Sequence, residues 1–224
     1  MTTSPVARRT GRFALLSGAI GLVAIALLLA ALAAPTPEPD TMRRETVFFA
    51  WQDVGVILQA LAMMPVTIGI WQLAQDSSDR RSCAVLGIGL FGQISLVISS
   101  VLIFTHTASD MLYMAPIGLV GLWLMLVNNK RQGIVSKRLC WTGRIAGAGL
   151  LTVGIGFLIY GTFVAPAVFI RPLTNAEIDA QALSPANLVA HICMAVGTVL
   201  GRVIYPIWAV LMGRRVLQLS YDPS

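Results

Sequence analysis

The chain has 224 residues, of which 56% are hydrophobic and only 12% charged, and it carries a net charge of +6. A soluble domain is about a quarter charged, and no soluble fold of this length hides so much apolar surface, because surface does not shrink fast enough with size. A mean hydropathy of +0.78 and a pI near 9.8, with no separate basic domain, fit a membrane protein and exclude a nucleic-acid-binding one.

A bilayer core of about 30 Å takes about 20 helical residues. Six runs meet that length. The first, 13–34, ends where Pro35, Pro37 and Pro39 forbid further helix. The second, 46–75, is broken only by Asp53, and the third, 82–109, has no charge. The fourth, 111–129, is just long enough, and a link of about four residues around Asp110 makes it an antiparallel neighbour of the third. The fifth is 145–170, and the sixth, 187–213, is interrupted by Arg202. None alternates like a barrel strand. The expected fold is all-α: a polytopic transmembrane bundle of six helices over 13–213, between a basic tail 1–12 and a tail 214–224.

The basic residues fix the orientation. Arg8, Arg9, Arg12, Arg80, Arg81, Lys130, Arg131, Lys137, Arg138, Arg144, Arg214 and Arg215 fall on one side, twelve of the 16 Lys and Arg. Only Arg43, Arg44 and Arg171 fall on the other, together with Glu38, Asp40, Glu45, Asp110, Glu177 and Asp179. The positive-inside rule then places both termini in the cytoplasm. Helix 1 follows Arg8-Arg9 and ends in Ala31-Leu32-Ala33, a sequence resembling a signal-peptide cleavage site. Its apolar run is longer than a usual signal core, so a retained anchor is expected. Cleavage would leave five helices in the same orientation. Helices 1–3 and 4–6 have opposite topology, as in many transporter repeats, but they share no matched motif.

Polar groups inside the spans are the natural place to look for function, because they are costly there unless they face protein or water. Asp53 is the one acid within a span and lies about two turns from the outer end of helix 2. Gln52 and Gln59 are seven apart and share a face, with Asp53 at the edge of that sector. In helix 6, His191, Ala195, Thr198, Arg202 and Tyr205 are spaced as one helical stripe, expected to point into the bundle. Arg202 is about 16 Å from the cytoplasmic face, too far for its side chain to reach, so an internal partner is expected. His106 and His191 sit at similar outer depths and are weak candidates for a metal or haem.

Small residues indicate close packing. Gly143, Gly147, Gly154 and Gly161 line one face of helix 5, Gly197 and Gly201 one face of helix 6, and Gly92, Ser95 and Ser99 a strip on helix 3. The expectation is packing within the chain first, and self-association or a second membrane subunit next. Helices 1 and 4 read mainly as lipid-facing walls. Cys83, Cys140 and Cys193 are widely spaced, which suits neither a disulfide framework nor a zinc site.

No nucleotide-, metal- or hydrolase-type motif is present. The ending Tyr205-Pro206-Ile207-Trp208 with Leu211-Met212-Gly213-Arg214-Arg215 resembles the last helix of bacterial multi-pass proteins, as Gly143-Arg144-Ile145-Ala146-Gly147 resembles the opening of one of their helices. These phrases cover under a tenth of the chain. The resemblance implies a bacterial inner-membrane protein and carries no activity. The leading expectation is a non-enzymatic binding, assembly or accessory subunit in the lipid bilayer, without a cofactor. The alternatives are a small transporter or channel using Asp53, Gln59, Thr198 and Arg202, and a haem protein using His106 and His191.

Overall fold

The computed structural model describes residues 5–33, 47–73, 80–105, 109, 111–129, 136–171 and 184–221. His106 lies outside them. The described residues contain no strand. Helix α1 spans Pro5–Ala33, α2 Val47–Leu73, α3 Arg80–Phe104, α4 Met114–Asn129 and α5 Lys137–Phe163. The last rod consists of α6 (Pro185–Gly197), a π-helical segment (Thr198–Arg202) and α7 (Val203–Tyr221). In hydrocarbon every backbone polar group must be satisfied within the protein, and a helix does this residue by residue.

Sequence chemistry sets the ends. Pro5 and Pro185 open their helices, where a missing N–H costs nothing. The Ser136 hydroxyl accepts from the Leu139 N–H at 3.3 Å and caps α5. Pro65 and Pro206 sit inside α2 and α7 without ending them. After α5, Ala165 N–H closes on Tyr160 O at 2.9 Å, and Pro166 starts a short 3-10 turn, Pro166–Phe169.

Five rods are long and apolar enough to cross a membrane: α1, α2, α3, α5 and the α6–α7 rod. The chain is thus a multi-pass helical membrane protein. Helix α4 differs from expectation in length, with only 16 residues. Helix α3 stops at Phe104, and the turn before α4 is held by Leu112 N–H to Ser109 O (2.9 Å) and Met114 N–H to Met111 O (3.0 Å). The apolar sequence there is spent on a turn rather than on helix.

The rods form a closed ring. Helix α1 packs on α2, α2 on α3, α3 on α4, α4 on α5, α5 on α6 and the π segment, and α7 back on α1. The main core runs through Met63, Val66, Val120, Trp123, Leu124 and Trp208. A second, smaller core gathers Phe157, Tyr160, Val168 and Met194 beside the 3-10 turn. Large apolar side chains such as Leu16, Val23, Phe91, Ile98, Leu158 and Val199 point outward, the inverse of a soluble protein.

The structure corrects the view of α4 as a lipid-facing wall. Its Pro116, Ile117, Gly118, Val120, Gly121, Trp123, Leu124 and Asn128 are buried. A helix rich in small residues and one facing lipid have the same hydropathy, and packing alone separates them. Helix α1 is two-sided: Leu16, Leu22, Val23 and Leu29 are exposed, while Ala7, Thr10, Ala14, Ser17 and Ala24 are buried.

The glycine faces are used inside the chain. A Cβ on Gly154 would stand 2.6 Å from the Gly118 Cα, and one on Gly147 2.7 Å from the Gly121 carbonyl oxygen. One on Gly197 would stand 2.6 Å from Gly149 O, and one on Gly201 would strike Leu150. Gly143 leaves room for Asn128 and Trp208 Nε1, and Gly161 for the ring of Phe169. On helix α3, Gly92 meets Leu119 and Val120 of α4. Such approaches maximise van der Waals contact, the main attraction between helices in lipid.

Candidate functional site

A partly open cavity of about 50 Å³ lies at the centre of the ring, and every rod contributes to it. Helix α1 supplies Gly21, Ala24, Ile25 and Leu28, α2 supplies Gln52, Val56 and Gln59, and α3 Leu96. Ile117 and Val120 come from α4, Leu150 from α5, and Arg202 and Tyr205 from the last rod. The lining residues of α1, α2, α3 and α4 lie in the halves of those helices away from the basic ends. The volume holds roughly three waters.

The polar lining comes from two helices. Gln52 and Gln59 are two turns apart on α2, and both reach the cavity. Gln52 is only 5% exposed. Its amide has no hydrogen-bond partner among the described residues. Gln59 Nε2 is buried with no acceptor among the described residues, pressed against Gly21, where any side chain would collide with it. The Gln59 backbone carbonyl is held by the Ser17 hydroxyl at 3.1 Å, which fixes α1 on α2 beside the cavity.

Arg202 ends the π segment. A π turn inserts one residue into the helical repeat, so residues on either side of it present different faces. Above it the inward positions are Ala190, Met194 and Gly197. Below it they are Tyr205, Trp208, Ala209, Met212 and Val216. Arg202 and Tyr205 thereby reach the cavity together. The Arg202 guanidinium stands over the Tyr113 ring, 4.9 Å from its centre. Among the described residues it has no carboxylate partner. Tyr205 stacks on Trp208 (6.3 Å, 16°), and Trp208 meets Trp123 edge-on (6.1 Å, 88°). Trp123, Leu124 and Trp208 are all buried, with Trp123 and Leu124 one turn after Val120 toward the basic end of α4 and Trp208 one turn after Tyr205.

Other expected residues are not brought to the cavity. His191 is exposed on the outer side of α6, its Nδ1 against Asn187 O at 2.9 Å and its ring edge-on to Tyr160. Thr198 is half-buried but does not line the cavity. Asp53 is half-buried, engaged in an interaction of its own, and also outside the lining. No group of three His, Cys, Asp or Glu suited to a metal occurs among the described residues.

Several buried polar groups escaped the sequence reading. Gln93 Nε2 donates to Thr67 Oγ1 at 2.7 Å, which donates in turn to Met63 O at 3.2 Å, while Gln93 Oε1 has no partner among the described residues. Asn128 Nδ2 donates to Leu124 O at 2.8 Å, and Arg144 Nε to Asn128 O at 3.2 Å. The signal for Gln93 was present: an amide in the middle of a charge-free span meets the same cost as Gln59.

No protein-family model, curated protein or solved structure is significantly similar to this chain.

Proposed function

We propose that this is a non-enzymatic ligand-binding protein of a bacterial inner membrane, crossing it six times with both termini in the cytoplasm. The observation that carries the reading is the meeting of Gln52, Gln59, Arg202 and Tyr205, from helices distant in sequence, around one central cavity. Unpaired polar groups in hydrocarbon are expensive, and a bound polar ligand would satisfy them. The basic helix ends support the orientation. Retention of α1 in the working protein is supported by its part in the cavity wall and its hydrogen bond to α2.

The transporter reading is less well supported. Of Asp53, Gln59, Thr198 and Arg202, only Gln59 and Arg202 line the cavity. A haem reading would rest on His191, which faces outward, and on His106, outside the described residues.

Native mass spectrometry of the protein in mild detergent tests the proposal. The wild type is expected to carry a small-molecule adduct that Ala24→Leu, which fills the cavity, expels. Equal adducts on both proteins, or none on either, overturns the reading.

A further inference from the structure

We infer that the occupant of the cavity is an amphiphile with a carboxylate head, and that Arg202 is its counter-charge. The inference rests on the binding reading above and adds the ligand's chemistry.

Arg202 is a permanent cation at the centre of the ring, with no anion beside it among the described residues. Its contact with the Tyr113 face offsets only part of its desolvation. The remaining lining polar groups include good donors for an anion. Gln52 is nine-tenths buried and lines the cavity, and among the described residues neither its amide nor the buried Gln59 Nε2 has a hydrogen-bond partner. Tyr205, which also lines the cavity, carries a hydroxyl that can donate as well. Excess donors around a fixed cation describe an acceptor-only ligand group, which an ionised carboxylate is.

Size selects among anions. A cavity of about 50 Å³ takes roughly three water-sized atoms, the count of a carboxylate and fewer than a phosphate. The rest of the lining is aliphatic, with Ile25, Leu28, Val56 and Leu96 on the flanking helices. The cavity is partly open, so the carboxylate occupies the enclosed volume and the acyl chain runs out through the opening past these side chains, from which a bare inorganic anion gains nothing.

The test is binding of decanoate to the full-length protein in detergent, followed by native mass spectrometry and tryptophan fluorescence, with decanol, acetate, inorganic phosphate and a phosphatidylglycerol as comparisons. Decanoate is expected to bind one per chain, at least tenfold tighter than decanol or acetate. Phosphate and the phospholipid are expected not to compete. Arg202→Gln should weaken decanoate at least tenfold and leave decanol unchanged. Gln52→Leu is the second variant, in case Arg202→Gln does not fold, and should weaken decanoate severalfold. Decanol binding as tightly as decanoate, with both blocked by Ala24→Leu, overturns the carboxylate inference while sustaining the ligand site. Competition by phosphatidylglycerol or by phosphate alone replaces the carboxylate with a phosphate from a lipid or a free source. Binding unaffected by Ala24→Leu refutes the site itself.

Discussion

Gly197 on α6 offers a sharp test of how closely the ring is packed. A Cβ there would stand 2.6 Å from Gly149 O and 2.8 Å from Val153 N, against an ordinary contact of 3.4 Å or more. Both obstacles are backbone atoms of α5, so neither swings aside. Helix α6 would have to move off by about 0.8 Å, opening the contact along the whole α5 groove. Overpacking of this kind costs about 1–3 kcal/mol, toward the upper end where backbone is the obstacle. Alanine returns about 1 kcal/mol of helix propensity. The net loss for Gly197→Ala is then about 1–2 kcal/mol, or a fall in Tm of about 2–8 °C for a chain of this length. Gly87 on α3 is the internal control, since a Cβ there meets nothing within 4 Å. Gly87→Ala should hold or raise the Tm by a few degrees, because only the propensity gain of about 1 kcal/mol remains. Thermal unfolding of both variants in one detergent, read by tryptophan fluorescence, decides the matter. If the two melt alike, the close approach of α6 to α5 is wrong.

Two further outcomes follow from the buried polarity and the orientation. Thr67→Val removes the partner of the fully buried Gln93 amide and should cost about 1–3 kcal/mol, whereas Thr67→Val with Gln93→Leu removes both and should be milder; a double variant worse than the single one contradicts this. Cys83 is exposed beside the basic start of α3. In a Cys140→Ser, Cys193→Ser background, a membrane-impermeant maleimide should label it in inverted vesicles and not in intact spheroplasts, and the opposite pattern would reverse the assigned orientation.

The helical character was legible because long charge-free runs have few alternatives in lipid. The heptad spacing put Gln52 and Gln59 on one face of α2, and both line the cavity. The upper half of the last-helix stripe was not legible. It assumed an uninterrupted α-helical repeat, and the π segment at Thr198–Arg202 shifts the faces by one residue, leaving His191 outside. Nothing in the local sequence announces that insertion. It is stabilised by tertiary contacts, with Gly197 and Gly201 seated on α5. The inward role of α4 was hidden for a related reason: the helix carries no charge on any face, so the faces that pack, including Gly118 and Gly121, do not stand out from those toward lipid. Tyr113, which covers Arg202, lies in a turn that the sequence suggested was helix.

The π segment has a further consequence for ring closure. One rod must serve two neighbours, α5 above and α1 below, and a uniform α-helix carries its contact stripe straight to one partner. The extra residue acts as a washer between two mating faces, rotating the lower one until it meets α1. Arg202 occupies the joint itself. This half-buried cation therefore sits where the last rod changes registration, at a point where a single inserted residue both closes the circle and aims a charge at the cavity.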